Sequence, residues 1–297
     1  MRRILEGLTV ALVGGDEREV ILAQALLNEG AKVLLVGYLP RPELAGAEHW
    51  ERRAALTAAD AVVAPITNTD EKGKIKAFFD PAAEIILDTD AFKAMQGKPL
   101  FIGVAKQVVQ DLAAKFRVPV YQTAEIDEIA VLNSIPTAEG AIARAMNELP
   151  ITLHGSRSVV VGFGRCGITL ARMLLGIGAR VYVAARSAAQ RARAYEMGIS
   201  AHELEELPAV VAAADVVFNT VPSLVLTAEV LQAMPVTCLI VDIASAPGGT
   251  DFAYAKKRGI KAFLDLGIPG KVAPRTAGEI LARTLPPMIA DACRRSK

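Results

Sequence analysis

The chain has 297 residues, enough for two domains of ordinary size. Apolar residues make up 52%, charged residues 22%, and the formal net charge is +1, so the composition is globular and gives no reason to expect nucleic acid or an anionic membrane as a partner. The three cysteines, Cys166, Cys238 and Cys293, form no CxxC pair or metal-ligand spacing, so we expect reduced thiols and no metal site.

Two apolar stretches need to be distinguished from export or membrane signals. The stretch near the N-terminus is interrupted by Glu6 and is followed by no small-residue cleavage site, so residues 8–13 are expected to be a first strand. The longest stretch, residues 168–185, contains Arg172 and Arg180, which excludes a lipid-spanning helix there. We therefore expect a soluble, cytoplasmic protein.

The first half of the chain alternates short, apolar, β-branched runs with segments of helical period. Strands are predicted at residues 8–13, 33–36, 61–66, 84–87, 100–104 and 118–122, and helices at residues 17–28, 43–59 and 106–116. Such alternation is typical of a parallel sheet with helices on both faces, and the nearly all-apolar strands fit a sheet that is covered on both sides.

A helix predicted at residues 134–148, with Pro136 in its first turn and Pro150 after its end, connects to a second domain. There, strands are predicted at residues 157–161, 180–184, 216–219, 238–242 and 261–264, and helices at residues 167–176, 188–197, 228–234 and 252–258. The spacing of Thr276 and Glu279 predicts a capping box that opens a final helix to about residue 283, with a further segment after Pro287.

The predicted fold class is α/β, with two doubly wound parallel-sheet domains and a cleft between them. The first domain is predicted to span residues 1–133 and the second residues 134–275. By analogy with other two-domain proteins of this shape, residues 276–297 are expected to pack back on the first domain.

The glycine-rich loop after the strand at residues 157–161 carries the main functional signal. Gly162, Gly164 and Gly167 form a G-x-G-x-x-G motif between a predicted strand and a predicted helix. In a Rossmann dinucleotide-binding domain these glycines permit a tight turn, a close approach of the pyrophosphate and close packing of helix on strand. The alternative is a tight strand–helix turn with no ligand. The surrounding pattern favours a nicotinamide dinucleotide.

The end of the next strand distinguishes NAD from NADP. An NAD site places Asp or Glu there to bond the ribose 2′-hydroxyl, whereas this chain has Arg186 and Ser187. A guanidinium and a hydroxyl match a 2′-phosphate, so NADP is predicted. Arg191 and Arg193 lie nearby and are interpreted as solvated charges on a helix face.

A second strand–helix turn, Gly14-Gly15-Asp16, lies in the first domain, and Asp16 and Glu19 there have capping-box spacing. The turn lacks the rest of the dinucleotide motif, so no second cofactor is predicted. Arg18 and the loop Thr67-Asn68-Thr69 either face a substrate or serve as ordinary caps.

Further loops rich in Gly, Pro and small hydroxyls follow strands of the second domain, where such folds bind ligands. One alternative is ordinary turn chemistry. The loops are Asn133-Ser134-Ile135-Pro136-Thr137, Asn219-Thr220-Val221-Pro222-Ser223, Ser245-Ala246-Pro247-Gly248-Gly249-Thr250 and Gly267-Ile268-Pro269-Gly270-Lys271. The histidines, of which His154 is interpreted as structural, form no hydrolytic triad or metal set.

Taken together, the motifs resemble one family, that of the dipicolinate synthase A subunit of spore-forming bacteria, over nearly the whole chain. The segments that carry the resemblance are Gly14-Gly15-Asp16, Asn133-Ser134-Ile135-Pro136-Thr137-Ala138-Glu139-Gly140, Gly162-Phe163-Gly164-Arg165-Cys166-Gly167, Ala185-Arg186-Ser187, Ser245-Ala246-Pro247-Gly248-Gly249-Thr250-Asp251-Phe252 and Pro269-Gly270-Lys271-Val272-Ala273-Pro274-Arg275-Thr276-Ala277-Gly278. The second and the last of these are the specific ones, since many dehydrogenases share the glycine loop.

The resemblance implies an NADP-linked oxidation of a dihydrodipicolinate-type ring to dipicolinate in the mother-cell cytoplasm during sporulation. It also implies a partner, the flavoprotein-like B subunit of dipicolinate synthase. The residues expected to bind the cofactor are Gly162, Gly164, Arg165, Cys166, Gly167, Arg186, Ser187, Thr220 and Pro222. A dicarboxylate substrate calls for cations and N–H donors, for which the candidates are Arg18, Lys271, Arg275 and a helix N-terminus at Ser134 to Thr137.

The sequence leaves several alternatives open. The proton-transfer residue is not assigned, with Glu139 a weak candidate. A different two-domain dehydrogenase of small carboxylates would ordinarily pair a histidine with a carboxylate, and no histidine lies in a predicted cleft loop. A non-catalytic NADP-binding protein that serves a partner is a further alternative, and the oligomeric state, a homo-oligomer included, is open.

Overall fold

The computed structural model describes residues 3–67 and 69–295. The chain divides into two compact units. The described residues up to Leu132 and from Ala273 onward form the first unit, and Asn133–Val272 forms the second.

The first unit contains eight strands among its described residues. They are β1 (Thr9–Val13), β2 (Lys32–Val36), β3 (Glu48–His49), β4 (Ala61–Val63), β5 (Lys74–Ile75), β6 (Ile85–Ile86), β7 (Leu100–Ile102) and β8 (Val120–Gln122). Its first four helices are α1 (Glu17–Asn28), α2 (Arg52–Ala58), α3 (Thr89–Ala94) and α4 (Gln107–Phe116), with a 3₁₀ turn at Pro42–Leu44.

Six of these strands form one parallel sheet in the order β3-β2-β1-β4-β7-β8. Its central strand is buried on both faces, because Val10 and Leu12 pack into one apolar cluster while Ala11 and Val13 pack into another. The strand order is that of a doubly wound fold with its switch point between β1 and β4. The predicted parallel sheet with both faces covered is confirmed.

Helix α5 (Asp127–Glu148) follows, and it begins seven residues before the predicted start. Pro136 therefore lies inside the helix and not in its first turn. The first turn carries Asp127 and Glu128, whose negative charges are favourable at a helix N-terminus and help to explain the earlier start.

The second unit repeats the plan of the first. Its strands are β9 (Arg157–Val161), β10 (Arg180–Ala184), β11 (Ser200–His202), β12 (Val216–Asn219), β13 (Leu239–Asp242) and β14 (Lys261–Leu264). Its helices after α5 are α6 (Arg165–Ile177), α7 (Ala188–Glu196), α8 (Leu207–Val211), α9 (Ala228–Ala233), α10 (Phe252–Arg258) and α11 (Ile268–Val272), with a 3₁₀ turn at Leu204–Glu206.

All six strands of the second unit are parallel, in the order β11-β10-β9-β12-β13-β14. The switch point lies between β9 and β12, so the loops after these strands face the crevice where doubly wound folds bind ligands. Both units are doubly wound parallel-sheet units, and the second has the Rossmann strand order, as predicted.

The last helix of the described residues is α12 (Pro274–Arg295), which belongs to the first unit and packs closely against α1. Gly278 permits this contact, since a Cβ at that position would lie 2.7 Å from Ile21 Cδ1. The predicted interruption before Pro287 is wrong. Burial of residues such as Leu285 and Ile289 continues the apolar face of the helix through Pro286 and Pro287, which offsets the cost of the missing N–H bonds.

Two other element predictions are wrong. The helix predicted at residues 43–59 is broken near Gly46, whose φ of +95° does not fit a helix, and only α2 remains of it. The strand predicted at residues 84–87 is reduced to β6, which pairs antiparallel with β5 and not with the main sheet. The elements α3, α8, α11, β3, β5 and β11 have no predicted counterpart.

Candidate functional site

The turn between β9 and α6 contains the glycine motif. Gly162 has a φ of +89°, which favours glycine, and a Cβ there would collide with the Thr220 side chain. Gly167 lies in the first turn of α6, and a Cβ there would collide with the carbonyl oxygen of Gly162. These two glycines therefore allow the tight turn and the close packing of the helix on the strand.

Gly164 is different, because its Cβ direction points into open space with no protein atom within 4 Å. It is the N-cap of α6 and provides no side-chain cap for the first-turn N–H groups. An open helix N-terminus with a positive dipole end is suited to an anion such as a pyrophosphate.

A cavity of about 610 Å³ opens beside this turn, a volume in the range typical of cofactor sites. Its walls come from segments that follow β9, β10, β12 and β13, together with Leu204 from the 3₁₀ turn after β11. The lining residues are Gly162, Phe163, Gly164, Arg165, Cys166, Arg186, Gln190, Leu204, Thr220, Val221, Pro222, Ser223, Val225, Ile243, Ala244 and Ser245.

Seven of the nine residues expected at the cofactor line this cavity. They are Gly162, Gly164, Arg165, Cys166, Arg186, Thr220 and Pro222. Gly167 is buried within α6, and Ser187 is the exposed N-cap of α7. Their contacts with a cofactor stay predictions.

The sequence interpretation missed several lining residues, among them Gln190, Leu204 and Val225. Gln190 could have been found, because it lies four residues after Arg186 at the start of the following helix. Leu204 and Val225 carried no such signal, since they are apolar residues of connecting segments.

The charge of the described cavity wall is positive. Its ionisable side chains are Arg165 and Arg186 together with the Cys166 thiol, and no carboxylate is among the described residues that line it. Burial raises the pKa of the Cys166 thiol against the opposing charge of Arg165, so the thiol is protonated at neutral pH.

Arg191 has a structural role that the sequence interpretation did not assign to it. Its guanidinium donates to the carbonyl oxygens of Ala185 at 3.0 Å and Arg186 at 2.8 Å, and it pairs with Glu203. The interpretation of Arg191 as a merely solvated charge is therefore wrong, because it fixes the backbone of the β10–α7 turn. Arg193 pairs with Glu196 at the surface, as a solvated charge would.

The predicted helix N-terminus at Ser134 to Thr137 is wrong. These residues lie inside α5, so their backbone groups are part of a continuing helix and Pro136 has no N–H at all. The Ser134 hydroxyl is buried 2.6 Å from that of Thr169, and the Thr137 hydroxyl donates to the carbonyl oxygen of Asn133. Hydroxyls at these positions bond within the second unit.

The other residues expected at the substrate are placed as follows. Glu139 is exposed on α5 and Lys271 is exposed on α11. Arg275, in the first turn of α12, pairs with Glu279 at 2.9 Å. Their roles stay predictions. In the loop after β4, Thr69 is buried, and Asn68 lies outside the described residues.

Arg18 belongs to a buried polar cluster at the start of α1. Its Nε and Nη2 donate to Asp16 at 2.9 and 2.7 Å, and the side chain is almost fully buried. Asp16 and Glu19 form the predicted capping box, which is confirmed, and Glu19 also accepts from the N–H of Ile66 at 3.1 Å. Arg18 thus stabilises the N-terminus of α1, and its role as a substrate ligand stays a prediction.

Burial and the neighbouring charge of Asp16 raise the pKa of Glu19 from 4.5 to about 7, against the opposing effects of Arg18 and two backbone N–H groups. For Asp16, burial acts to raise the pKa, but the hydrogen bonds and charge of Arg18 bring it below its ordinary value. The cluster therefore holds one carboxylate, on Asp16, and one carboxyl group that titrates near neutrality.

No helix in the described parts of the chain is long and apolar enough to cross a membrane. Within the same ranges, no group of three or more His, Cys, Asp or Glu residues is placed to hold a metal ion. No histidine is among the described residues that line the cavity, and His154 Nδ1 is 3.0 Å from the carbonyl oxygen of Ile177.

The strand order, the glycine turn and the adjoining cavity define a protein with a nicotinamide-dinucleotide-binding domain of the dehydrogenase type. Comparison with family models agrees. Residues 9–124 match the N-terminal domain of the dipicolinate synthase A subunit, and residues 134–247 match the NAD-binding domain of D-isomer-specific 2-hydroxyacid dehydrogenases.

Relatives match nearly the whole chain. The dipicolinate synthase A subunit of Bacillus subtilis is 38% identical over 291 residues, which covers 97% of this chain and 98% of the relative. Crystal structures of the dipicolinate synthase A subunit from Bacillus halodurans and of the corresponding protein from B. subtilis both superpose with a TM-score of 0.92 at 37% identity. They cover 96% and 99% of this chain, and 98% and 100% of their own. The chain belongs to the family of dipicolinate synthase A subunits.

The open space beside Gly164 leads to a first prediction. We expect Gly164→Val to weaken binding of NAD⁺ and NADP⁺ at least tenfold, because the new side chain occupies the space that the pyrophosphate needs. The folded state should change little, since no protein atom is displaced. Isothermal titration calorimetry and thermal unfolding measure the two effects.

The matched control is Gly176→Val, since this glycine also has no atom within 4 Å of its Cβ position but lies at the other end of α6. It should leave binding unchanged. Full binding by the Gly164→Val protein would contradict the placement of the pyrophosphate.

The raised pKa of Glu19 leads to a second prediction, on stability against pH. Between pH 4.5 and about 7 the folded chain retains a proton on Glu19 that the unfolded chain releases, so this group's contribution to the free energy of unfolding falls as the pH rises through that window. We expect Glu19→Gln to remove this fall in the free energy of unfolding with rising pH. Urea unfolding from pH 5 to 8 measures it.

Glu17→Gln is the control, because Glu17 is an exposed carboxylate in the same helical turn. This variant should keep the slope of the unmodified chain. If the free energy of unfolding of the Glu19→Gln protein varied with pH as it does in the unmodified chain, Glu19 would be ionised throughout the range from pH 4.5 to about 7.

Proposed function

We propose that this chain is the NADP-linked component of a dipicolinate synthase and oxidises a dihydrodipicolinate-type ring to dipicolinate. The observation that carries the proposal is a positively charged cavity beside the glycine turn, in a chain of which 97% matches a dipicolinate synthase A subunit. The relative's name supports the product, dipicolinate, and the cavity and the matched NAD-binding domain support a nicotinamide cofactor.

The preference for NADP rests on the end of β10. An NAD site would have a carboxylate there for the ribose 2′-hydroxyl, whereas this chain has Arg186, which lines the cavity and is exposed. Among the described residues, none pairs with the Arg186 guanidinium, so its donors are available to a phosphate. Arg191 holds the carbonyl oxygen of Arg186 and so fixes the backbone from which this side chain projects.

The reaction removes two hydrogens from the ring and makes it aromatic. When bound, NADP⁺ would supply a hydride acceptor for two electrons and one proton of the ring, and the second hydrogen would leave as a proton. The glycine turn and the N-terminus of α6 would hold the pyrophosphate, and Arg186 the 2′-phosphate. We propose Lys271 and Arg275 as partners of the substrate carboxylates, and Glu139 or water as the proton acceptor.

The relative's name, which designates one component of a larger synthase, also supports an assembly. We propose that this chain acts with a flavoprotein-like B subunit in the cytoplasm of the mother cell during sporulation. A chain that binds NADP but leaves the chemistry to its partner is the second candidate. It is favoured by one observation, that the described residues lining the cavity include no carboxylate and no histidine to accept a proton.

The test is formation of NADPH from freshly prepared dihydrodipicolinate, followed at 340 nm with both proteins together, with this chain alone and with only the B subunit. We expect turnover whenever this chain is present, and with NADP⁺ in preference to NAD⁺. Turnover by this chain alone would exclude the non-catalytic alternative. Failure of the complete mixture would refute the proposed reaction.

The cofactor preference gives a prediction of its own. We expect Arg186→Asp to weaken NADP⁺ binding by about ten- to a hundredfold, the effect of losing a charge-assisted hydrogen bond worth about 1.5–3 kcal/mol. NAD⁺ binding should stay within a few-fold or improve, since the new carboxylate suits a 2′-hydroxyl. Both affinities can be measured by calorimetry.

Arg193→Asp is the matched control, because Arg193 is an exposed arginine of the neighbouring helix that does not line the cavity. It should change neither affinity by more than twofold. Equal losses for NADP⁺ and NAD⁺ in the Arg186→Asp protein would show that Arg186 does not contact the 2′-phosphate.

A further inference from the structure

Asp242, the last residue of β13, is a fully buried carboxylate that does not line the cofactor cavity. Its Oδ1 accepts from the N–H of Ala244 at 3.1 Å. Its Oδ2 accepts from the N–H of Gly249 at 2.9 Å and from the Thr250 hydroxyl at 2.7 Å. A buried carboxylate is costly unless such donors surround it, so these bonds fix the loop strongly.

The bonds fold residues 243–250 back over the end of β13. In this conformation Gly248 has a φ of +86° and passes close to the Asp242 carboxylate, with its Cβ position 3.0 Å from Oδ2. A residue with a side chain would be strained at this φ and would crowd the Asp242 carboxylate. The loop shape is therefore determined by one acid and by a glycine that fits against it.

Gly249 connects this loop to the one that follows β12. Its carbonyl oxygen accepts from the N–H groups of Val225 and Leu226 at 3.0 and 2.9 Å. A Cβ on Gly249 would collide with the carbonyl oxygen of Val221 and would lie 2.5 Å from that of Ser223. The two loops are thus in backbone contact, with no space for a side chain between them.

The β12 loop has an internal support of the same kind. Asn219 is fully buried at the end of β12, where its amide donates to the carbonyl oxygen of Val221 at 3.0 Å and accepts from the N–H of Val221 at 3.1 Å. Asp242 and Asn219 therefore occupy equivalent positions on neighbouring strands, and each shapes the loop that follows.

Both loops form the same end of the cavity. Thr220, Val221, Pro222 and Ser223 line it from one loop, and Ile243, Ala244 and Ser245 line it from the other. Arg186 lies at the end of β10, on the other side of β9 in the sheet order. Because a dinucleotide spans the switch point with its adenosine ribose beside β10, these two loops would face its nicotinamide half.

We infer that Asp242 is a positioning residue, which acts through Gly249 and Thr250 to set the two loops that receive the nicotinamide half of the cofactor. The inference rests on the proposed function only in that a nicotinamide dinucleotide occupies the cavity. Asp242 does not itself touch the cofactor. Both of its side-chain oxygens accept hydrogen bonds from within the protein.

The test compares the binding of two ligands, one with and one without the nicotinamide half of the cofactor. We expect Thr250→Val, which removes one donor from Asp242 without changing the size of the side chain, to raise the Kd for NADPH about tenfold, a change equivalent to about 1.4 kcal/mol. The fluorescence enhancement of bound NADPH should fall as well. The Kd for 2′-phospho-ADP-ribose, which lacks the nicotinamide, should stay within twofold.

Thr284→Val is the matched control, because Thr284 is a buried threonine of the first unit whose hydroxyl donates to the carbonyl oxygen of Ile280 at 2.8 Å. It makes the same chemical change in a residue of the other unit, so both affinities should remain. Gly249→Ala is a second variant, expected to separate the loops and to weaken NADPH selectively.

Two results would overturn the inference. One is an equal weakening of NADPH binding and 2′-phospho-ADP-ribose binding in the Thr250→Val and Gly249→Ala proteins. That result would indicate that the whole binding domain is less ordered. The other is no change of NADPH binding in either folded variant. If the unmodified chain bound neither ligand, the proposed cofactor itself would be wrong, so the two failures are distinguishable.

Discussion

The cofactor cavity depends on how closely the backbone approaches itself at the carboxyl end of β9. Gly162 and Gly167 leave no space for side chains between the strand, the helix and the Thr220 loop, and this brings the N-terminus of α6 directly over the sheet. Gly164 then leaves an open volume at that N-terminus. Two glycines provide close packing, and the third leaves the space in which the pyrophosphate is proposed to bind.

The first unit shows what the same topology does without that space. Its strand order is equivalent, but at the corresponding turn the Cβ direction of Gly14 points at Ile75, and the N–H of Gly15 donates to the carbonyl oxygen of Lys76. The Tyr38 hydroxyl donates to the carbonyl oxygen of Gly14 at 2.6 Å. The segment that carries β5 and β6 therefore covers this turn, and Lys76 and Tyr38 satisfy its polar groups, so the turn serves as packing.

The parts of the fold and of the site that the sequence predicted are those decided by residues close together in the chain. The helices α1 and α10 and the strands β9, β10, β12 and β14 were predicted with their observed bounds, because apolar periodicity and local turn residues decide them. The glycine motif and Arg186 could be located for the same reason. Each is a local pattern whose meaning comes from the strand before it and the helix after it.

The failures are places where tertiary packing overrides a local rule. Pro287 and Pro136 were interpreted as helix boundaries, yet burial of residues such as Ile289 keeps α12 continuous. Leu204 reaches the cavity wall from a segment with no recognisable motif. The donors of Asp242 come from residues two to eight positions later, and nothing in their spacing distinguishes this loop from an ordinary Gly-Pro turn.

The distribution of acids connects the fold to the proposed cofactor. Asp242 lies at the carboxyl end of a strand of the second sheet, yet it is buried and accepts from backbone N–H groups of its own loop. The described lining of the cavity has two arginines and no carboxylate. A carboxylate at the end of β10 would repel a 2′-phosphate about as effectively as Arg186 attracts it. The preference proposed for NADP therefore depends on two features of the described lining, the exposed guanidinium of Arg186 and the absence of a carboxylate.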